Sequence, residues 1–422
     1  MKSVPPLAVR VLEAFDAEHL PWSLVSDEPS VSELEHEVEL LILGVSARQA
    51  EVILRSHAFV PVTTSHGGAH GHFVGHLEGD EQWTRIHLTT EIAFGRDFRF
   101  RAPIADSSLA RRTVVDGVAS LAGQDWFWVL FLRGLLDDRG FDATRIARLV
   151  ELTAVTDTRS EWTTLLESIC PPSWNVDRLR AAASRQEWES LRELGPGIAA
   201  QWTRRERWSV TWRRLADRLR RIKVKLYPFP GQPGLAVALL GPDGSGKSTH
   251  ASSIARSFPF PARTIYLGLW QAPARRGTPL LPGLDLLGRL GFAWRRWIVG
   301  RYHRARGRLV LFDRYPYDAL LALHGRQPLR ERLYFELLGR SCPAPDLVLL
   351  LDTPGGIAFA RKGEHDSAEL ERVRQGYLAL RARLPAIELV DGDRPLETVR
   401  TELVDLIWES YRARWRVHGR VG

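Results

Sequence analysis

From residue 235 onward the sequence predicts an α/β domain built on a parallel five-stranded sheet with flanking helices, and three observations carry that prediction. Five apolar runs, Leu235–Leu240, Thr264–Leu267, Leu309–Phe312, Leu347–Leu351 and Ile387–Val390, alternate with segments of helical pattern. Such near-continuous runs are strands buried on both faces and joined by crossover helices. The first run leads directly into Gly241-Pro-Asp-Gly-Ser-Gly-Lys-Ser-Thr249, a glycine-rich turn set between a strand and a helix. Just ahead of it lies Tyr227-Pro-Phe-Pro-Gly-Gln-Pro-Gly234, where proline and glycine interrupt regular structure and mark a boundary. The reading is therefore a linker at 228–234, the α/β domain at 235–412 and a C-terminal tail at 413–422.

A chain of 422 residues is too long for one core, so a second domain is expected ahead of the linker. Residues 1–105 mix short apolar runs with Gly/His-rich turns and read as α+β. Residues 106–227 read as helical, with helices at Ser108–Leu121 and Trp126–Leu136. Another starts from an Asn175 N-cap and runs to Leu194, ended by Gly195-Pro196-Gly197, and a last one covers Ile198–Val224. No internal repeat is visible.

Hydrophobic content of 44% and charged content of 26% are those of a globular domain. The densest apolar stretch, Trp126–Leu132, is too short to span a bilayer. The start, MKSVPPLAVR, has no apolar signal core, and Cys170 and Cys342 are too few for a disulfide framework. A reducing cytoplasm is the expected setting. The net charge is +8, with only five lysines, Lys2, Lys223, Lys225, Lys247 and Lys362. That balance fits nucleic acid, an anionic membrane or phosphorylated substrates and does not choose among them.

The loop Gly241–Thr249 has the G-x-x-x-x-G-K-S spacing that cradles phosphate. Gly241, Gly244 and Gly246, with Pro242, Asp243 and Ser245 between them, let backbone N–H groups turn toward phosphate oxygens. The following helix points its positive end at the same anion. Lys247 reaches the β- and γ-phosphates, and the hydroxyl of Ser248 suits Mg²⁺.

This loop is similar to that of thymidylate kinases, down to an acidic residue at Asp243. Further matches follow in order. Leu309-Val-Leu-Phe-Asp-Arg-Tyr315 resembles the family's strand ending in Asp-Arg, and Pro345–Pro354 its next strand. Arg361–Tyr377 resembles the lid and closing helix, and Val390–Glu397 the last strand and adenine-side loop. The resemblance covers roughly 180 residues, about two fifths of the chain. It implies ATP and Mg²⁺, with Ser248 and Asp313 on the metal side, Arg314 at the acceptor, and Arg361 and Lys362 closing over the transferred phosphoryl group. The implied activity is transfer of the γ-phosphoryl group to a nucleotide or another small alcohol or phosphate. The family's Arg-Glu-Pro-Gly-Gly stretch is missing, with Arg263–Trp270 in its place, and Pro316-Tyr-Asp-Ala-Leu-Leu stands where a Ser- and Gln-bearing segment follows Asp-Arg. The acceptor is left open. So is a nucleotide-binding regulatory or scaffold protein with little turnover, and so is a homo-oligomer; no specific nucleic acid partner is expected.

In the N-terminal part Glu37-Val-Glu39 precedes the run Leu40–Leu43. Two carboxylates alternating on a strand share a face, which suits two-metal chemistry; surface acids on an edge strand are the plainer alternative. The pattern weakly resembles nucleotidyltransferase-like domains, but Thr89 stands where a third carboxylate is wanted and Ser23-Leu-Val-Ser26 where a Gly-Ser motif is wanted. The resemblance implies a degenerate domain. His66, His70, His72 and His76 suggest either a metal site or, as preferred here, a loop between strands. Residues 204–225 hold ten basic and two acidic side chains around a stripe of Trp208, Trp212, Leu215, Leu219 and Ile222. Such a helix packs its stripe on protein or lies on an anionic membrane. A second basic run spans Arg295–Arg308.

Overall fold

A computed structural model describes residues 6–25, 37–62, 70–79, 83–95, 98–115, 117–138, 140–154, 161–226, 234–269, 282–323, 328–363, 366–384 and 387–418. They divide into two units, Met1–Leu77 with Gln82–Leu226, and Glu78–Glu81 with Tyr227–Gly422. Of the expected linker only Gly234 is described; residues 228–233, His66, Ser26 and Trp270 lie outside the described residues.

The first unit begins with α1 (Pro6–Ala17), β1 (Trp22–Leu24), β2 (Glu37–Ile42), α2 (Ala47–Ser56), β3 (Val60–Val62), β4 (His70–His76) and β5 (Trp83–Thr89). It continues through β6 (Ile92–Phe94), β7 (Phe100–Ala102), α3 (Ala105–Ala110), β8 (Thr113–Val115) and β9 (Val118–Ser120). Seven of these strands form a mixed sheet in the order β3-β4-β5-β2-β1-β9-β8, and β6 pairs with β7. Among the described residues seven helices follow: α4 (Gly123–Leu136), α5 (Ala143–Leu152), α6 (Glu161–Ile169), α7 (Val176–Ser184), α8 (Trp188–Arg192), α9 (Gly195–Arg205) and α10 (Arg207–Leu226). Helix α4 is apolar over its central two turns, and Trp126 through Leu132 are all buried in one core with Trp162, Trp188 and Trp202. A stretch apolar on every side belongs inside a core.

Several expectations change here. The helix foreseen over Ser108–Leu121 ends at Ala110, and the remainder forms the antiparallel pair β8–β9. Thr113, Val114 and Val115 are β-branched, and Gly117, at φ +80°, stands between the two strands where a hairpin turn favours glycine. The sheet therefore runs past the boundary expected at residue 105. Asn175 does cap a helix, its side chain accepting from the Arg178 N–H at 2.8 Å, but α7 stops at Ser184. Gly195-Pro196-Gly197 opens α9 instead of ending a helix, because proline suits the first helical turn, where its missing N–H is not needed. The last expected helix is two, α9 and α10, broken at Glu206. His70, His72 and His76 lie on β4, not in a loop. Strand β2 sits between β5 and β1, so it is not an edge.

The second unit contains β10 (Ala236–Leu240), α11 (Lys247–Ser257), β11 (Ala262–Tyr266), α12 (Pro282–Ala305), β12 (Leu309–Asp313), a 3-10 segment (Pro316–Leu323) and α13 (Leu329–Gly339). After these come β13 (Leu347–Asp352), α14 (Gly355–Lys362), α15 (Ser367–Arg381), β14 (Ile387–Asp391) and α16 (Leu396–His418). The sheet order is β11-β12-β10-β13-β14, and every pairing is parallel. All residues of β10 and β12 are buried, as strands covered on both faces require. Register sets Asp313 beside Leu239 on β10 and Tyr266 on β11. The carboxyl ends of the central strands thus open on one crevice, where ligands of open α/β sheets bind. Among the described residues, no helix is long and apolar enough to cross a membrane.

Candidate active site

Strand β10 delivers the chain into the phosphate loop, and α11 starts at Lys247 on the far side. Gly246 is the residue ahead of that helix and has φ +88°, a conformation that a side chain resists. Gly244 has φ +84°, and a β carbon there would collide with the carbonyl oxygen of Ala358 on α14. The loop is thus shaped by positions that only glycine fills.

Lys247 is almost wholly buried. Its Nζ donates to the Gly241 carbonyl at 2.9 Å and the Pro242 carbonyl at 2.7 Å, with Ser245 Oγ at 3.4 Å. Burial, and then the nearby Arg314 charge, bring its pKa down to about 8. The neighbouring Ser248 hydroxyl donates to Asp313 Oδ2 at 2.5 Å. A hydroxyl and a carboxylate at the mouth of a phosphate loop form the hard-oxygen donor set that Mg²⁺ takes, so these two residues fit that ion.

Arg314 follows Asp313 and has φ +71°, an unusual backbone conformation for a long side chain. It is held there by two carboxylates. Its guanidinium pairs with Asp243 of the phosphate loop, and Nη1 lies 3.6 Å from Asp318 Oδ2. Burial opposes the Arg314 charge, but Asp318 and Asp243 outweigh it and hold its pKa above the ordinary value. Asp318 is itself buried, and its Oδ1 accepts from the Tyr377 hydroxyl at 2.8 Å. Burial pushes the pKa of Asp318 up, against the pull of Arg314.

The residues named from sequence come together around one cavity of about 630 Å³. Asp243, Gly244, Gly246, Lys247, Ser248, Thr249, Asp313, Arg314, Arg361 and Lys362 all line it. Gly241 and Pro242 line a smaller adjoining cavity of about 170 Å³, which shares Asp243 and Arg314 with the first. Ser245, within the loop, is buried.

The N-terminal acids do not form a comparable site. Glu37 is exposed at the start of β2. Glu39 Oε2 is paired with Arg133 Nη2 at 2.8 Å, and its Oε1 is 3.8 Å from His87 Nδ1. Burial, and then Arg133, depress the His87 pKa to about 4. Thr89 donates its hydroxyl to the Glu91 carbonyl at 2.6 Å. His72 stacks on His87 with ring centroids 4.1 Å apart. Among the described residues, no group of three or more His, Cys, Asp or Glu is placed to hold a metal ion.

No family model matches the chain. Among curated proteins, the thymidylate kinase of Methylobacillus flagellatus is 36% identical over 203 residues, covering 42% of this chain and 98% of its own length. That of Leifsonia xyli subsp. xyli is 32% identical over 225 residues, covering 45% of this chain and 97% of its own. The Bordetella petrii thymidylate kinase is 34% identical over 197 residues, 40% of this chain and 93% of its own. The chain belongs to the thymidylate kinase family.

The second unit is accordingly the P-loop phosphotransferase part of a thymidylate kinase family member. Several of its residues escaped the sequence reading. Asp318 and Tyr377 join across 59 residues of chain, a pairing that spacing does not disclose. Asp318 lies in the segment that departs from the thymidylate kinase pattern. Tyr266 lines the cavity from β11, the strand that stands in place of the family's Arg-Glu-Pro-Gly-Gly stretch. His250, one turn into α11, and Arg394 also line the cavity. Of the two cations expected over the phosphates, Arg361 donates to the Gly392 carbonyl at 2.9 Å, at the end of β14. Lys362 is exposed where α14 stops at Gly363, φ +68°.

Proposed function

We propose that the second unit transfers the terminal phosphoryl group of ATP, with Mg²⁺, to a nucleoside monophosphate, thymidylate being the first candidate. The observation that carries this is the convergence of Lys247, Ser248, Asp313 and Arg314 on one cavity beside the phosphate loop. The thymidylate kinase names of the relatives support the acceptor class.

In this reading the loop amides and the α11 N-terminus bind the β- and γ-phosphates. Lys247 exchanges its two carbonyl partners for phosphate oxygens. Ser248 and Asp313 hold Mg²⁺, which when bound neutralises charge on the phosphates. Arg314, fixed by Asp243 and Asp318, binds the acceptor phosphate. Arg361 and Lys362 supply positive charge on the opposite wall, where charge develops during transfer. An acceptor phosphate oxygen forms the new P–O bond as the bond from the γ-phosphorus to ADP breaks. A phosphate nucleophile needs no base, whereas an alcohol acceptor would. Asp313, a cavity carboxylate suited to that task, already accepts from Ser248, which favours the monophosphate.

The test is γ-labelled ATP offered with nucleoside monophosphates, nucleosides, sugars and phosphosugars in turn. Labelled nucleoside diphosphate is the expected product. Label appearing only in a sugar, or only in inorganic phosphate, overturns the acceptor class. ATP binding with no transfer to any of them would mark a nucleotide-binding regulator instead.

We infer further that the first unit has no nucleotidyl-transfer chemistry. The Glu39–Arg133 pair and the Thr89 hydroxyl support that reading.

A further inference from the structure

We propose that α10 is a membrane-surface helix that lays Trp208, Trp212, Leu215 and Leu219 into the headgroup region of a bilayer containing anionic lipids. The stripe is open to solvent: Trp208 is 86% exposed, Trp212 70%, Leu215 44% and Leu219 56%. At 100° per residue the four fall within an arc of about 60°. The helix is anchored by a different side. Val210 is fully buried in the core of the first unit. Arg213 donates to the Arg99 carbonyl at 3.1 Å and pairs with Glu206 at 3.3 Å. On the wheel Val210 lies roughly opposite the stripe, so docking the helix on its own unit leaves the stripe facing outward.

Charge decides what covers it. Residues 204–225 carry ten basic and two acidic side chains. Of these, Arg207, Arg214 and Arg218 are exposed and flank the stripe on one side. Arginines beside an apolar stripe, with tryptophans within it, match the layered chemistry of a bilayer surface. Phosphates lie outermost, and the acyl boundary lies a few ångströms below. A single-stranded nucleic acid is the other polyanion that takes tryptophan and arginine together. Leu215 and Leu219 offer it no stacking surface, and they occupy half of the exposed stripe. A second copy of the chain would bring the same surplus of positive charge to the contact.

The experiment uses the full chain and sedimentation with vesicles of phosphatidylcholine containing about a quarter phosphatidylglycerol, against pure phosphatidylcholine. Binding to the anionic vesicles alone is expected, and it should weaken as salt rises. The double variant Trp208→Ser/Trp212→Ser should bind about tenfold more weakly, with far-UV circular dichroism and ATP binding unchanged. Arg207→Glu with Arg214→Glu should remove the preference for anionic lipid. Four results overturn the proposal. The first is no sedimentation with anionic vesicles. The second is sedimentation indifferent to the tryptophan substitutions, which reduces it to net charge. The third is loss of a dimer in that variant by analytical ultracentrifugation, which assigns the stripe to a second copy. The fourth is loss of single-stranded oligonucleotide binding in the same variant.

Discussion

Lys247 donates to two carbonyls of its own loop, and burial lowers its pKa to about 8, below the ordinary 10.5. Between those values the unfolded chain holds the proton and the folded one does not. Stability therefore rises with pH across that window, and the buried ammonium is unfavourable below it. For catalysis the sign is opposite, since the charged form meets the phosphates. Under the phosphotransferase reading, kcat/KM for ATP should fall as pH rises through about 8. At saturating ATP, kcat should hold to higher pH because phosphate charge favours the ammonium. A pH–rate profile checks this, and a kcat/KM flat to high pH would refute it. Lys247→Ala should lower phosphoryl transfer by about a thousandfold, read with labelled ATP. Arg361→Ala should lower kcat by about tenfold with a smaller change in ATP affinity, because its charge matters most at the transition state. An unchanged kcat with weakened ATP binding would make Arg361 a ground-state contact. At this scale the phosphate loop was legible in the sequence, because its chemistry sits in nine consecutive residues, Gly241–Thr249. The Asp318–Tyr377 bond was not, because a buried pair is chosen by packing between distant segments.

Helices α14 and α15 show how an element is placed by charge. Glu371 on α15 accepts from the Gly355 N–H at 2.9 Å, at the first turn of α14. Arg374, one turn on, grips Asp352 at the end of β13 with two nitrogens, Nη2 at 3.0 Å. The hydrogen bond from Gln375, and then that from the Gly355 N–H, hold the Glu371 pKa at about 2. A carboxylate depressed in this way stabilises the fold above its unfolded value and ceases to as pH falls from about 4.5 toward 2. Glu371→Gln should accordingly flatten part of the acid branch of a stability-versus-pH curve. Arg374→Ala should lower stability by about 1–2 kcal/mol, measured by urea unfolding. Among elements, β10, β12 and β13 follow the apolar runs closely because burial on both faces leaves an unbroken signal, while the edge strands β11 and β14 are only partly buried. The hairpin β8–β9 was missed because helical spacing was followed through Asp116-Gly117, a local turn signal that outweighs it. The Asn175 cap was legible, while the stop at Ser184 was not, because no glycine or proline marks it.

Over the whole molecule the two units carry unequal chemistry. In the first, Glu39 is mostly buried and committed to Arg133. Glu39→Gln should destabilise that unit by about 2 kcal/mol by leaving a buried guanidinium without its charge partner. The same substitution should leave the phosphotransferase rate of the full chain nearly unchanged. Differential scanning calorimetry alongside the kinase assay reads both. The Lys247→Ala chain, supplied with nucleoside triphosphates and Mg²⁺ or Mn²⁺, should release no pyrophosphate. Release that disappears when Glu37 and Glu39 are both changed to Gln would make the protein bifunctional.

The contact between Gly244 and the Ala358 carbonyl has a consequence for how the second unit responds to its nucleotide. No side chain fits between the phosphate loop and α14 there, so the two behave as meshed parts. Under the phosphotransferase reading, a phosphate that tightens the loop is expected to bear on the helix carrying Arg361 and Lys362. By reciprocity, whatever steadies that helix tightens the grip on phosphate by the same free energy. Ala358, which has no reactive group, would then be the point at which occupancy of the cradle is felt by the far wall.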